Sequence, residues 1–371
     1  MAETRPLVML AAGGTGGHLF PAEALSVVLR ARGLRVELAT DERATRYGAE
    51  FPADAIHVIP SETVRGRNPL ALARTAVVLG WGTMKARALL GRRRPAAVVG
   101  FGGYPTIPPV LAATFRRIPT VIHDSNAVIG RANRLLAPRV TAIAITFPGI
   151  LDRDAALAAK ATQTGNPIRP AVTAAAATPY AVLEPGDTLR VLVFGGSQGA
   201  RVMADVVPAA IEQLDPGLRA RLAIVQQARD EDGTRVAGAY ERLGVAAEVA
   251  PFFTDLPARI AGAHLIISRS GASTVAELAA IGRPSILVPL PGALDQDQLA
   301  NATVLQKANG ATLLTQDVFT PVRLAREIAV LAADPARLAA MAAAAKSAGR
   351  TDAAERLADL VMKVAGLGEI R

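Results

Sequence analysis

Two glycine-rich segments carry the residues best suited to chemistry in this chain. The first, Gly13–His18, follows an apolar run and ends in a histidine. The second, Gly195–Gly199, follows another apolar run about half a chain length later and includes Ser197 and Gln198. Glycines at a strand end allow a tight turn and bring backbone N–H groups close to an anion. The pair therefore predicts two nucleotide-fold halves with a cleft between them.

The first segment departs from the dinucleotide fingerprint G-x-G-x-x-G, because Leu19 stands where the third glycine is needed. Asp41 follows the second apolar run and could imitate the acid that binds a ribose, so a nicotinamide-dependent oxidoreductase is one alternative. A tight strand-to-helix turn without a ligand is another. Of the four histidines, His18 is the best placed for acid–base chemistry, since it lies at a predicted helix entry beside exposed backbone donors.

The second segment lacks the lysine of a Walker A loop, which argues against hydrolysis of ATP or GTP. A further anion site is predicted at Ser268–Glu277, where small hydroxyl residues and a glycine follow another apolar run. At a helix N-terminus, unpaired N–H groups and the helix dipole attract the same charge. The alternative is a capping box between Thr274 and Glu277, which would stabilise the helix by ~1 kcal/mol.

Three polar loops complete the candidate chemistry. The loop Leu294–Asn301 can hydrogen-bond a sugar, and the alternative is a plain loop with a helix start. In His123–Asn126 a carboxylate stands beside an imidazole, so Asp124 could act as a general base or orient one. Phe101–Thr106 ends a further strand, and we expect it to converge with His123–Asn126 and the first glycine-rich segment on one edge.

The elements that must position these residues are short apolar strands alternating with amphipathic or alanine-rich helices. This alternation is typical of parallel α/β sheets covered on both faces, whose ligands bind beyond the carboxyl ends of the strands. The segment 164–170 contains two prolines and a glycine and predicts a boundary. We predict an N-terminal domain over 1–164, a C-terminal domain over 165–350 and a last helix, 351–371, that packs back on the first domain. The predicted strands are Leu7–Ala12, Arg35–Thr40, Ala96–Phe101, Thr120–His123, Val140–Ile145, Arg190–Phe194, Ala223–Gln226, Leu265–Ser268, Ser285–Val288 and Ala311–Leu314.

Composition narrows the classes further. With 371 residues, 51% of them apolar, the chain can bury two cores. The absence of cysteine excludes disulfides, thiol nucleophiles and cysteine-based zinc sites. No secretory signal is predicted. The uncharged run 95–115 is long enough to span a bilayer, but its four prolines and three glycines favour a strand, a turn and a helix start.

Charge is distributed unevenly, and no acidic residue occurs between Glu62 and Asp124. Basic and apolar residues alternate there around a tryptophan, which is typical of a membrane-surface helix. Each basic residue near an anionic leaflet contributes ~1 kcal/mol. A nucleic-acid patch ranks lower because no nucleic-acid motif is present, and a plain solvated face is the remaining alternative. The residues predicted to meet the membrane or an acceptor are Arg74, Trp81, Lys85, Arg87 and Tyr104.

Seven motifs occur in the order found in the MurG family, part of glycosyltransferase family 28, which the chain resembles over nearly its whole length. The resemblance implies a GT-B fold, in which two Rossmann-like, doubly wound parallel-sheet domains face each other across a cleft. The motifs are Gly13–His18, Gly102–Tyr104, His123–Asn126, Gly165–Arg169, Gly195–Gly199, Arg269–Glu277 and the loop with Gln298 and Asn301.

The resemblance also implies an activity. N-acetylglucosamine would pass, with inversion, from UDP-N-acetylglucosamine to the C4 hydroxyl of the muramyl pentapeptide on undecaprenyl pyrophosphate (lipid I), giving lipid II for peptidoglycan. The C-terminal half would bind the donor. The N-terminal half would take lipid I and lie peripherally on the anionic cytoplasmic face of the inner membrane. A membrane-bound scaffold without turnover is a further alternative.

No metal and no cofactor is expected, because helix N-termini after Ser197 and near Gly271–Thr274 would stabilise the leaving UDP. Other proteins of cell-wall synthesis and division are a further class of partner implied by the resemblance, and nucleic acid is not expected to bind.

Individual roles are carried over from the family onto matching residues. His18 is the first candidate for the base that takes the acceptor proton, and Asp124 is the second. Two departures occur, since the family usually has Glu-Gln where Asp124 and Ser125 stand, and the residues before Gln298 are less typical. Glu277 is expected to hold the ribose hydroxyls and Phe253 to lie near uracil. Donor contacts are expected at Thr15, Gly16, Gly17, Asn126, Arg169, Ser197, Gln198, Phe253, Ala272, Ser273, Thr274, Glu277 and Gln298.

Overall fold

The computed structural model describes residues 5–13, 16–42, 51–62, 68–184, 186–196 and 199–368. Three predicted site residues, Thr15, Ser197 and Gln198, lie outside these ranges. Contacts within the chain divide it into two compact units. The first unit holds the described residues up to Arg169 together with those from Asp352 onward, and the second runs from Pro170 to Thr351.

The first unit is built on a parallel sheet whose described strands follow the order β3-β2-β1-β4-β5-β6-β7. Its inner strands are buried on both faces, and they therefore read as continuous apolar runs in the sequence. The strands are β1 (Leu7–Ala11), β2 (Arg35–Thr40), β3 (Ala55–Val58), β4 (Ala97–Gly100), β5 (Thr120–Asp124), β6 (Ala142–Ile145) and β7 (Ala161–Gln163). The helices between them are α1 (Gly16–Ala31), α2 (Pro69–Arg93), α3 (Ile107–Phe115), α4 (Arg131–Leu136) and α5 (Ala155–Ala158).

The second unit repeats this arrangement with described strands in the order β10-β9-β8-β11-β12-β13, all parallel. The strands are β8 (Leu189–Phe194), β9 (Leu222–Gln227), β10 (Ala246–Ala250), β11 (Leu265–Ser268), β12 (Ser285–Leu287) and β13 (Ala311–Leu313). The helices are α6 (Pro170–Ala176), α7 (Arg201–Glu212), α8 (Pro216–Arg219), α9 (Asp230–Arg242), α10 (Leu256–Gly262), α11 (Ala272–Ile281), α12 (Asp297–Lys307), α13 (Pro321–Ala332) and α14 (Pro335–Ala348).

The two sheets confirm the predicted doubly wound α/β class. In each sheet the strand order reverses beside the strand that leads into a glycine-rich segment, β1 in the first unit and β8 in the second. Ligands of α/β sheets bind at such switch points, outside the carboxyl ends of the strands. The two segments singled out in the sequence therefore lie at equivalent places in the two units.

Three strands missing from the prediction, β3, β7 and β10, all lie at sheet edges. Their residues are only partly buried, and β10 is mostly exposed. An edge strand needs no continuous apolar run, so the sequence signal for it is weak. The run 95–115, by contrast, folds as predicted into β4, a short 3₁₀ helix over Tyr104–Thr106, and α3.

A last helix, α15 (Ala353–Val364), belongs to the first unit. Its apolar face, including Leu357 and Val361, joins the core formed by α1 and the inner strands. On the surface, Nη1 of Arg32, directly after α1, donates to Oδ1 of Asp359 at 2.5 Å. The first unit therefore draws part of its core from the far end of the chain.

A buried carboxylate, Glu37 on β2, ties the end of α2 to the sheet. Nε of Arg93, in the last turn of α2, donates to its Oε2 at 2.9 Å. Nε2 of His57 lies 2.8 Å from the same oxygen, and Arg35 pairs with the other oxygen. Burial raises the pKa of Glu37, but the hydrogen bonds from Arg93 and His57 outweigh burial and hold it below its usual value.

Replacing Glu37 with glutamine is expected to lower the free energy of unfolding by about 2 kcal/mol, because two arginines lose a buried counter-charge. The lowered pKa means that this stabilisation is complete above the ordinary glutamate value of 4.5 and is lost as the pH falls through the folded value. Urea denaturation at several pH values measures it. Asp359→Asn, which removes an exposed pair, is the control and should cost less than about 0.5 kcal/mol. Equal losses for both variants would contradict the role of Glu37.

Candidate active site

His18 lies in the first turn of α1, against the Gly102–Gly103 part of the loop that follows β4. A Cβ at Gly103 would lie 3.2 Å from Nε2 of His18, and one at Gly102 would lie 3.4 Å from its Cε1. Both glycines have positive φ, 85° and 73° for Gly102 and Gly103, a conformation that residues with a side chain rarely adopt. The imidazole therefore packs on bare backbone at the carboxyl end of β4.

The surroundings of His18 suit a proton acceptor. Burial lowers its pKa, although a hydrogen bond with the backbone of Phe101 opposes this effect. Its Nδ1 is buried and has no hydrogen-bond partner among the described residues. A ring with a lowered pKa is neutral near pH 7, and only a neutral imidazole can take a proton.

His123, at the end of β5, is a structural histidine. Its Nε2 donates to the carbonyl of Gly165 at 3.0 Å, and Oγ of Ser125 lies 3.4 Å from its Nδ1. Burial lowers its pKa to about 4, although the hydrogen bond that it donates to Gly165 raises the pKa and nearby His18 lowers it a little further. His123 is therefore neutral and holds the segment that begins at Gly165.

The carboxylate of Asp124 is occupied by donors from its own loop. Its Oδ1 accepts from the backbone N–H of Asn126 at 3.1 Å. Its Oδ2 accepts from the N–H of Gly130 at 2.8 Å and from Nδ2 of Asn133 at 3.0 Å. These bonds close the loop 124–130 and set the position of half-buried Asn126, so the geometry of Asp124 favours positioning over proton transfer.

The predicted donor contacts that remain in the first unit, together with Tyr104, follow the carboxyl ends of strands in the same sheet. Gly16 and Gly17 form the first turn of α1 with His18, and half-buried Tyr104 begins the 3₁₀ helix after the two glycines. The guanidinium of Arg169 lies 4.0 Å from the ring centre of Phe20 on α1.

Asp41, considered as a ribose-binding acid, lies instead against the first glycine-rich segment. Its Oδ1 would be 2.7 Å from a Cβ at Gly13, and the residue is buried. The carboxylate thus occupies space beside the turn itself, where a side chain at Gly13 could not fit.

In the second unit, α11 begins three residues earlier than a capping box with Thr274 as N-cap would require. Gly271 is the N-cap, with φ −59° and ψ 151°, and Ala272 is the first helical residue. Thr274 is therefore the third helical residue, and the alternative interpretation, a capping box between Thr274 and Glu277, is wrong. The first-turn N–H groups of Ala272, Ser273 and Thr274 have no partner within the helix and can face an anion.

Arg269 holds the loop that follows β12. Its side chain is buried, and Nη1 donates to the carbonyls of Val288 and Pro289 at 3.1 and 2.9 Å. Nη2 donates to Oε1 of Gln316 at 2.6 Å. Burial lowers the pKa of this arginine. No role was predicted for Arg269 alone, and its place directly after β11 is the sequence signal that could have indicated one.

Gln298, a predicted donor contact, is held on two sides. Its Oε1 accepts from the N–H of Leu290 at 3.0 Å, and its carbonyl accepts from Oγ of Ser270 at 2.8 Å. Nδ2 of Asn301 donates to the carbonyl of Ser270 at 3.3 Å. The side-chain carbonyl of Gln298 is thus committed to the loop, which leaves its NH₂ as the group suited to a ligand oxygen.

Phe253 and Glu277 complete the predicted set in this unit. The ring of Phe253 is buried, and the guanidinium of Arg259 lies 4.3 Å from its centre, whereas neighbouring Phe252 is 62% exposed. Phe253 therefore anchors its loop through the side chain and can offer a ligand its backbone. Glu277 is buried within α11, one and a half turns from the helix start.

The outer face of α2 carries an exposed stripe of apolar and basic side chains, Arg74, Val77, Trp81, Met84 and Lys85, here called the α2 stripe. Positions three and four apart share one face of a helix. Val77, Trp81 and Met84 are 72, 54 and 65% exposed, and Nζ of Lys85 lies 5.5 Å from the centre of the Trp81 ring. Arg87 is exposed beside the stripe.

No single helix in the described ranges combines the length and hydropathy of a bilayer span. One pair of helical segments, 321–332 and 335–364, is long and apolar enough when taken together, but the chain bends between them, and this rests on length and composition only.

Family models match both halves of the chain. The glycosyltransferase family 28 N-terminal domain matches residues 8–145, and the C-terminal domain of the same family matches residues 190–357. A relative from Rhodopseudomonas palustris is 68% identical over 99% of this chain and 98% of its own length. Its name is UDP-N-acetylglucosamine--N-acetylmuramyl-(pentapeptide) pyrophosphoryl-undecaprenol N-acetylglucosamine transferase.

Solved structures share the fold. The crystal structure of Acinetobacter baumannii MurG superposes with a TM-score of 0.79 at 28% identity, covering 96% of this chain and 99% of that one. CalG4, the calicheamicin glycosyltransferase, superposes with a TM-score of 0.66 at 17% identity, covering 98% of each chain, and shows the fold alone. The likeness to these GT-B structures, together with the two parallel sheets, confirms the predicted fold class.

Replacing Asp124 with asparagine is expected to loosen its loop. Both carboxylate oxygens now accept hydrogen bonds, and the amide NH₂ that replaces one of them would face an N–H donor instead. We expect a loss of about 1–2 kcal/mol in the free energy of unfolding, with faster hydrogen exchange at the N–H groups of Asn126 and Gly130. Asp152→Asn, at an exposed carboxylate, is the control. If both variants unfold and exchange alike, Asp124 does not organise the loop.

Proposed function

The chain belongs to glycosyltransferase family 28, and on that premise we propose that it transfers N-acetylglucosamine from UDP-N-acetylglucosamine to lipid I, making lipid II. The name of the relative from Rhodopseudomonas palustris describes such a transferase, and the match covers almost the full length of both chains. The donor is assigned to the second unit, and lipid I is assigned to the first.

One observation carries the mechanism: His18 lies against the Gly102–Gly103 backbone, and burial lowers its pKa so that the ring is neutral near pH 7. In a single inverting displacement, the C4 hydroxyl oxygen of the muramyl sugar bonds to C1 of the donor sugar as the bond from C1 to the UDP oxygen breaks. His18 takes the hydroxyl proton. An α-linked donor then gives a β-1,4 product and UDP.

The second unit offers a site for the charge that develops on UDP. The first-turn N–H groups of α11 and its dipole attract an anion. This attraction grows stronger as the leaving diphosphate gains charge. We assign Ala272, Ser273 and Thr274 to this anion site, Glu277 to the ribose hydroxyls, the backbone at Phe253 to uracil and the NH₂ of Gln298 to the sugar. Ser197 and Gln198, outside the described residues, stay predictions for the same site.

The first unit supplies the remaining contacts in the proposal. Asn126, positioned by Asp124, is assigned to the donor sugar, and Arg169, stacked on Phe20, to the nucleotide or sugar. Gly16 and Gly17, with Thr15 outside the described residues, are assigned to the backbone that borders the sugar and acceptor. Asp124 is the second candidate base, but its three hydrogen bonds favour positioning.

Release of UDP from UDP-N-acetylglucosamine with a short-chain lipid I analogue tests the function. The wild type should release UDP only when both substrates are present. His18→Ala should lower kcat by about 10²–10⁴-fold, the usual contribution of a general base. Because burial lowers the pKa of His18 below 6.5, kcat/KM should fall on the acid side only below that pH.

His264→Gln is the matched control. His264 lies at the amino end of β11, whereas the proposed substrate contacts follow the carboxyl ends of strands, and it bonds to Arg190. Near-normal kcat in His18→Ala would remove His18 from the role of base. No UDP release by the wild type, with tight binding of NADH, would favour the oxidoreductase instead, and no release without NADH binding would favour a scaffold.

We further propose that the α2 stripe and Arg87, with Tyr104 toward the acceptor, hold the protein peripherally on the anionic cytoplasmic leaflet of the inner membrane. Exposed apolar side chains flanked by basic ones can insert at a lipid surface while the charges meet the headgroups. Phe115, 61% exposed at the end of α3, adds to the apolar area next to Arg116 and Arg117. Other proteins of cell-wall synthesis and division are proposed as partners, and nucleic acid is not.

Lys85→Glu combined with Arg87→Glu should weaken co-sedimentation with anionic vesicles more than tenfold at low salt, since each basic residue contributes about 1 kcal/mol. Wild-type binding should fall as salt rises. Arg326→Glu with Arg337→Glu makes the same charge change on exposed positions of the second unit and should have little effect. Equal loss in both double variants, or salt-independent binding to neutral vesicles, would refute an electrostatic role for the α2 stripe.

A further inference from the structure

Gln227 links two loops that belong to different strands of the second unit. It is the last residue of β9, the strand between β8 and β10. Its Oε1 accepts from the N–H of Gly195, directly after β8, at 3.0 Å. Its Nε2 donates to the carbonyl of Pro251, directly after β10, at 3.1 Å. One buried side chain thus joins the glycine-rich segment to the loop that carries Phe252 and Phe253.

The two partners fix the chemistry of this position. Gly195 presents a donor and Pro251 presents an acceptor, so the bridging group must accept at one end and donate at the other. An amide does both, whereas a carboxylate only accepts and an apolar side chain does neither. Because Gln227 is buried, loss of either bond would leave a backbone group without its partner.

Arg229 supports the same segment from its other end. Its Nη2 donates to the carbonyl of Gly199 at 3.3 Å, and its Cγ would lie 3.0 Å from a Cβ at Gly199. The carboxyl end of β9 therefore holds the glycine-rich segment on both sides, through Gln227 at Gly195 and through Arg229 at Gly199.

We propose that Gln227 is a positioning residue that sets the distance between the diphosphate-binding turn and the uracil-binding loop, so that the enzyme favours a nucleoside diphosphate over the nucleoside alone. This proposal rests on the proposed function, which places uracil at the second of these elements and predicts that the first shares the diphosphate site with the start of α11. A ligand that spans two subsites binds well only when their spacing is preorganised. Gln227 itself touches neither part of the nucleotide.

Calorimetric titration of the full chain with UDP and with uridine tests the proposal. Gln227→Met keeps the size of the side chain and removes both hydrogen bonds. We expect the Kd for UDP to rise about tenfold, as the loss of two buried hydrogen bonds implies, while the Kd for uridine changes much less. In turnover, KM for UDP-N-acetylglucosamine should rise, with KM for the lipid I analogue unchanged.

Gln226→Met is the matched control. Gln226 is the preceding residue of β9, is equally buried, and accepts a hydrogen bond from the hydroxyl of Tyr240 on α9. Its replacement should lower Tm as Gln227→Met does, but leave the ratio of the uridine Kd to the UDP Kd as in the wild type.

If Gln227→Met does not fold, Gln227→Glu replaces it, because glutamate still accepts from Gly195 and only loses the bond to Pro251. The ratio should fall in that variant too.

The outcomes separate this proposal from the function on which it rests. A wild type that neither binds UDP nor releases it from the donor refutes the proposed function. A wild type that binds UDP, with an unchanged ratio of Kd values in the Gln227 variant, overturns the positioning role alone. An equal change in Gln226→Met also overturns it, because the effect would then come from general loosening of β9.

Discussion

Burial of both faces of the parallel sheets is the constraint on which the rest of this structure depends. Inner strands such as β1, β4, β8 and β11 have helices on both sides and consist mostly of apolar residues. Polar chemistry is thereby confined to the carboxyl ends of the strands, where backbone N–H groups and loop side chains become available. Both glycine-rich segments, the histidine loop and the start of α11 lie at such ends.

A second regularity follows from the first. Loops at strand ends expose backbone donors and acceptors that their own strands do not satisfy, and buried polar side chains supply the missing partners. Asp124 does so for the loop 124–130, Arg269 for the segment after β12, and Gln227 for the turns after β8 and β10. Asp124 holds the loop of its own strand, whereas Arg269 and Gln227 hold loops of neighbouring strands.

Much of the fold was readable from local sequence. Inner strands such as Arg35–Thr40 and Leu265–Ser268 were predicted with the bounds observed, because burial on both faces favours strands rich in apolar residues. The edge strands β3, β7 and β10 were missed because partial exposure removes that preference. The capping box at Thr274 failed for a related reason: Gly271 takes the extended conformation that starts the helix, and pattern alone does not say which of two small residues will do so.

By itself the sequence determined the α/β class, the two repeated halves, the family and the identity of the residues suited to chemistry, since all of these depend on residue type and short-range order. Only the tertiary structure decided what each of those residues bonds to. His18 and Asp124 both looked able to accept a proton, and the fold left Nδ1 of His18 without a partner among the described residues while it surrounded Asp124 with three donors. The path of the loop after β5 decides which donors reach Asp124, and the strand order of the sheet decides which distant residues meet, such as His18 with the Gly102–Gly103 backbone.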